Sequence, residues 1–215
     1  MKGPCFVVIK GCAMSKSKKV FADTEPLMEK RFGKEVTDEA LEFAHADFEL
    51  LCEAHSGEDK AVKVHTVDVI YPVISLYRGL QAAGVTPEDA LAFMDYSCSK
   101  RAESEAKSIQ VALKIPGAYK LMPKIFTMVT KQSFGEAAGF KATFYPVGKK
   151  RVKFDMTKCL YCDVCRDNGV PELTQCFCHT DDVKDGHMHP KLRWNRTKVM
   201  GEGADVCDFD LIVED

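Results

Sequence analysis

The chain has no excess of either charge. Its 30 Lys and Arg stand against 32 Asp and Glu, a formal net charge of −2. A general nucleic-acid binder carries a strong basic excess, so that class is set aside. No apolar run approaches the ~20 residues that a membrane-spanning helix needs. The first apolar run, Cys5-Phe6-Val7-Val8-Ile9, is too short for the core of a secretory signal. Internal repeats are also missing, and tryptophan occurs once, at Trp194. With 46% apolar and 29% charged residues, these absences lead to the expectation of an ordinary soluble globular protein in the cytoplasm. There its cysteines are reduced thiols or metal ligands rather than disulfides.

A length of 215 residues suits one well-cored domain with at most an extension. Residues 1–20 lack a period and end in Lys16-Ser17-Lys18-Lys19, so they read as an N-terminal arm. Residues 21–215 read as a single α+β domain, helical over 21–135 and sheet-containing over 136–215. A second basic run, Lys149-Lys150-Arg151, reads as a solvated turn.

Start and stop signals divide the helical part. One helix is expected from Thr24 to Gly33, with Pro26 in its first turn, and a second is capped by Thr37. The second carries Leu41, Ala44, Phe48, Leu51 and Cys52 at helical spacing. A third runs from Thr66 to Ala83, bent by or starting at Pro72, with Gly84 as its stop. Thr86-Pro87-Glu88-Asp89 is the strongest start signal, opening a helix to about Lys114. A helix over 118–131 is expected to turn Leu121, Ile125, Met128 and Val129 inward.

After Gly135 the period becomes two. Phe140, Ala142 and Phe144, then Val152, Phe154 and Met156, alternate with polar residues and form a hairpin. A helix from Cys159 to Asn168 stops at Gly169, and Pro171 opens a short second one. Leu192 to Arg196 and Val206 to Val213 read as two more strands. The expected fold is therefore α+β: a helical region packed on a small C-terminal antiparallel sheet in the order β-β-α-α-β-β.

Six of the ten cysteines fall between Cys159 and Cys207. The spacing of Cys159, Cys162 and Cys165 suggests an iron–sulfur run, but no fourth cysteine follows at the usual place. A helix face with buried thiols is the preferred reading. Cys176, Cys178, His179, Asp181, Asp182, His187 and His189 are competent zinc ligands whose spacing matches no standard site. Cys178 is also expected at the end of the short helix opened by Pro171, beside His179 and three residues before Asp181, an arrangement able to tune a thiol. His45, His55 and His65 read as surface or packing residues. Arg196 and Asp208 are candidates for a structural ion pair between strands, or for holding a carboxylate bidentately through the arginine. The strand alternation puts Cys207 and Phe209 on one face and Asp208 on the other.

These residues carry a resemblance. Cys159, then Gly169-Val170-Pro171-Glu172-Leu173, Cys178-x2-Asp181, Arg196-Thr197 and Gly203-Ala204-x2-Cys207-Asp208-Phe209 resemble the L-2-amino-thiazoline-4-carboxylic acid hydrolase family. Leu76-Tyr77-Arg78, Leu80 and Gly84 extend the likeness into the helical part. Val199 departs from it, standing where the family commonly has threonine. The resemblance implies a ring-opening hydrolase acting on a small carboxylated thiazoline and leading through carbamoyl-cysteine toward cysteine. Such chemistry needs a nucleophile or base, a proton carrier and a cation for the carboxylate. Cys178 or Asp181 would serve as the first and His179 as the second. Arg196 would anchor the carboxylate, with Thr197 and Asp208 beside it. No cofactor is expected, zinc being the alternative, and neither nucleic acid nor membrane is an expected partner; a homodimer stays open. The last strands also resemble sensor domains of the 4-vinyl reductase type, some of which hold zinc through a Glu-x2-Cys pair. The matching positions here, Arg196 and Val199, cannot supply those ligands.

Overall fold

The computed structural model describes residues 14–214, and the run Cys5 to Ile9 lies outside them. Helix α1 spans Met14–Phe32, starting ten residues before the expected Thr24. The reason is packing. Ser17, Val20, Phe21, Thr24 and Met28 are all buried and recur at helical spacing, so one face continues back through the basic run. Thr24 is no cap; its hydroxyl meets that of Ser97 at 3.1 Å. Likewise α2, Lys34–Ala54, has its N-cap at Gly33 rather than Thr37. The Thr37 hydroxyl instead donates back to the Gly33 carbonyl at 2.8 Å.

The third expected helix is three pieces. Helix α3, Lys60–His65, passes through a π-helical turn, Thr66–Ile70, into α4, Tyr71–Ala82. Pro72 explains the wide turn, because it has no N–H to give to Asp68 and its ring would collide with that carbonyl in a regular helix. Glu58 holds the turn, accepting the Thr66 and Tyr71 hydroxyls at 2.6 Å each. Helix α4 is central and buried nearly all round. Its Gly79 lies so close to α2 that a Cβ there would sit 2.3 Å from the Ala40 carbonyl oxygen and 3.1 Å from the Ala44 Cβ. Helix α5, Pro87–Leu113, starts as expected, with the Thr86 hydroxyl accepting the Asp89 N–H.

Helix α6, Met122–Ser133, follows a 3₁₀ turn and reverses the expected face. Leu121, Ile125, Met128 and Val129 are exposed, whereas Met122, Pro123 and Thr130 are buried. Periodicity defines the two faces of such a helix, and the neighbours decide which is covered. Here Phe126 selects the side by packing on Phe154 and Trp194 of the sheet.

The sheet is antiparallel in the order β1-β2-β4-β3, with β1 at Lys141–Phe144, β2 at Arg151–Lys158, β3 at Leu192–Asn195 and β4 at Cys207–Val213. Helices α7, Leu160–Asp167, and α8, Thr174–Asp185, lie between β2 and β3 in the chain. The fold is thus α+β, helices first and a small sheet last. An aromatic row crosses its inner face: Phe144 to Phe154 at 4.9 Å, Phe154 to Phe209 at 4.8 Å, and Phe209 to Trp194 at 5.6 Å. Arg151, expected in a solvated turn, opens β2 and grips Asp210 with two hydrogen bonds of 2.7 and 2.6 Å. Two segments carrying the resemblance touch: Tyr77 donates to Glu172 at 2.9 Å, and Arg78 donates to the Asn168 carbonyl at 2.7 Å. Among the described residues, no helix is long and apolar enough to cross a membrane.

Candidate functional site

Cys178 lies within the twelve residues of α8, not at the end of a short helix. Because Cys178, Asp181 and Asp182 are spaced i, i+3, i+4, they share one side of it. That side meets the segment after β3, where Arg196 reaches back across the inner face of the sheet. The guanidinium donates to Asp181 at 3.2 Å, to Asp182 at 2.5 Å and to the Cys178 carbonyl at 2.7 Å. It lies 5.6 Å above the Phe209 ring, and its side chain is 1% exposed. The expected Arg196–Asp208 pair does not form. Asp208 points to the other face, where it accepts the Thr197 N–H and hydroxyl and the Lys198 N–H at 2.5 to 2.7 Å. Burial pushes the Asp208 carboxyl up, but these donors outweigh it and hold the group below the usual range. Thr197 and Asp208 are therefore joined to each other and stand outside the cluster.

Asp182 is shared, accepting the Trp194 indole N–H at 2.9 Å as well as Arg196. Burial pushes the Asp181 carboxyl up, opposed by Lys184 and Arg196. Asp185, one turn on, is pushed by burial to about 7 in spite of Lys184 at 3.9 Å. One donor has no acceptor: the Nε of Arg196 is buried and unpartnered.

Two thiols complete the cluster. The Cys178 and Cys207 side chains are neighbours, and the Cys207 sulfur accepts the Met200 N–H at 3.1 Å. Cys207 and burial together push the Cys178 thiol far up. Cys207 is pulled the other way: Cys178 lowers it, burial opposes, and the Met200 N–H and Arg196 lower it further. A 3₁₀ turn, Met200–Glu202, covers the pair. It comes so close that a Cβ on Gly201 would lie 2.9 Å from the Cys178 sulfur. His179 faces α5 instead, with Nδ1 at 2.7 Å from Asp95 and Nε2 at 3.4 Å from Glu202 in that same turn.

Cys207, not among the site residues expected from the sequence, lies beside Cys178 in the structure. Its signal was present in the Gly-Ala-x2-Cys ending, but nothing in the spacing set it opposite Cys178. The other sulfurs behave as packing. Cys165 is fully buried and pushed up to about 12, Cys98 to about 11, and Cys159 stands at the N-cap position of α7, where Cys162 and burial push its thiol up. His187 and His189 lie apart, lining a cleft of about 520 Å³ with Lys114 and Tyr119, on whose ring His189 stacks at 4.5 Å. His65 is a packing residue, as expected, buried among Phe134, Phe140 and Tyr161. Among the described residues, no three His, Cys, Asp or Glu side chains converge to hold a metal ion.

Fold and cluster together define a class: an α+β protein with two facing thiols and a buried arginine–carboxylate network where α8 meets the last strand. A family model described as L-2-amino-thiazoline-4-carboxylic acid hydrolase matches residues 63–211, from α3 into β4, and the chain belongs to that family. No curated protein matches it. Among solved structures it is similar to the crystal structure of an Fe(II) unliganded H-NOX protein from K. algicida. The identity is 11% and the TM-score 0.38, over 93% of this chain and 97% of that one. A likeness that loose carries no argument about function.

Proposed function

We propose that the protein hydrolyses a small carboxylated thiazoline, opening the ring to a carbamoyl-cysteine product, and that it does so in the cytoplasm. The observation that carries this reading is the enclosure of the whole thiol, arginine and carboxylate cluster within the segment matched by the family model. The chemistry fits these parts. Ring carbon 2 is bonded to two nitrogens and a sulfur, so a nucleophile adds there and the sulfur departs. The facing thiols supply a nucleophile and a proton donor. His179, oriented by Asp95, can carry protons between solvent and the site through the turn at Glu202. Arg196 has spent its terminal nitrogens on Asp181, Asp182 and a carbonyl, so only its free Nε is left for a substrate carboxylate. Otherwise it fixes the walls of the site.

The test is incubation of the reduced, purified protein with 2-amino-thiazoline-4-carboxylate, with thiol release followed and the metal content measured on the same sample. Stoichiometric excess of released thiol over protein is expected. Binding without thiol release would reject the hydrolase in favour of a sensor.

A further inference from the structure

We propose that Cys207 is the nucleophile of this ring opening and that Cys178 is its proton donor. The assignment rests on the thiazoline reading above. The Met200 N–H is aimed at the Cys207 sulfur at 3.1 Å with the Cys178 side chain beside it, and a donor so placed favours a thiolate acceptor. Arg196 adds positive charge nearby, lying over Phe209, two residues along the same face of β4. Its orphaned Nε is a buried donor that an anionic group entering the cluster would satisfy. Gly201 makes the arrangement possible, since any side chain there would strike the Cys178 sulfur and lift the turn that brings the Met200 N–H down. Cys178 is unsuited to the same role, because Cys207, burial and Asp181 all disfavour its anion.

The step balances without an oxidant. The Cys207 thiolate adds to ring carbon 2, pushing the C=N electron pair onto the ring nitrogen. That pair re-forms the double bond and expels the ring sulfur, which takes the Cys178 proton and leaves an S-linked isothiourea on Cys207. Water then adds to the same carbon, returning one proton to Cys178 and giving the other to nitrogen. The bond from carbon to the Cys207 sulfur breaks, the thiolate is restored, and the product is a carbamoyl group. One water is consumed.

The experiment is limited iodoacetamide labelling of the full, reduced protein near pH ~6.5, about two units below the ordinary thiol pKa of ~8.5, with the sites mapped by mass spectrometry. Cys207 should carry label before Cys178, and Cys178→Ala should move the labelling midpoint of Cys207 upward. Label on Cys178 first, or none on Cys207 until the ordinary thiol range, overturns the assignment. Rapid quenching of the wild type with substrate should show one whole substrate mass on the Cys207 peptide, a result that needs no variant to fold. Cys207→Ser should lower turnover by ~10³-fold or more, the scale of losing a nucleophile. Undiminished turnover in that variant rejects the proposal. Low-pH labelling of Cys207 with no thiazoline turnover instead rejects the substrate reading and leaves the thiol assignment standing.

Discussion

Arg196 is bound by three acceptors and faces a fourth possibility through its Nε, so its loss disturbs structure and chemistry together. Arg196→Ala removes the guanidinium that joins Asp181 to Asp182 and leaves only Lys184, 3.9 Å from Asp181, as a nearby cation. Breaking a buried pair costs ~3–5 kcal/mol, and the lower end applies because Asp182 is half exposed. A lower Tm and a loss of at least ~10-fold in kcat/KM are expected, measured by thermal melts and thiol release. Arg196→Lys should not restore either, since an ammonium cannot span both carboxylates and the carbonyl. Asp185 behaves differently. Its folded carboxyl, pushed to about 7, keeps a proton between pH 3.8 and 7 that the unfolded chain has lost. Its contribution to stability therefore falls as pH rises through that window. Asp185→Asn should melt above the wild type at pH ~8, and the gap should narrow as the pH falls toward ~4. A constant difference across that range would reject the assignment.

Elements meet closely only where small residues permit it, and α4 against α2 is the tightest case. Gly79→Ala would drive a methyl into the Ala40 carbonyl, so a loss of ~1–3 kcal/mol in denaturant unfolding is expected. Helix starts with an isolated signal, such as Thr86 before Pro87, were legible in the sequence because the cap is local. Starts set by tertiary burial were not: α1 extends back through Lys16 to Lys19 because Ser17 and Val20 are covered. The face of α6 was unreadable for the same reason, since its outer side is as apolar as its inner. In the site, the strand alternation at Cys207 was legible, whereas the continuation of α8 past Cys178, which sets Asp181 and Asp182 on its side, was not. Which acid Arg196 would choose was not, because that depends on how α8 crosses the sheet.

Across the whole molecule, the N-terminal helices are joined to the helices that precede and interrupt the sheet by polar ties. Tyr77 and Arg78 are two of them, and His65 is a third, giving Nε2–H to the Ser133 carbonyl at 2.8 Å while Nδ1 faces the Tyr161 hydroxyl at 3.3 Å. Burial holds its pKa below the ordinary 6.5, with Lys16 acting in the same direction and the Ser133 bond and Asp68 opposing. Below pH 6.5 the unfolded chain takes up a proton that folded His65 refuses, so stability declines on acidification through that range. Melting of the wild type from pH ~7 to ~5 should show this slope, and His65→Gln should flatten it. An identical slope in the variant would assign it to other groups. One further consequence follows from the scarcity of tryptophan. Trp194, whose indole shares Asp182 with the arginine and packs on Phe126 and Phe209, supplies all of the indole emission of the chain. Its fluorescence is therefore a built-in optical gauge of the cluster, able to follow ligand entry, thiol alkylation and loss of the sheet contact without any label.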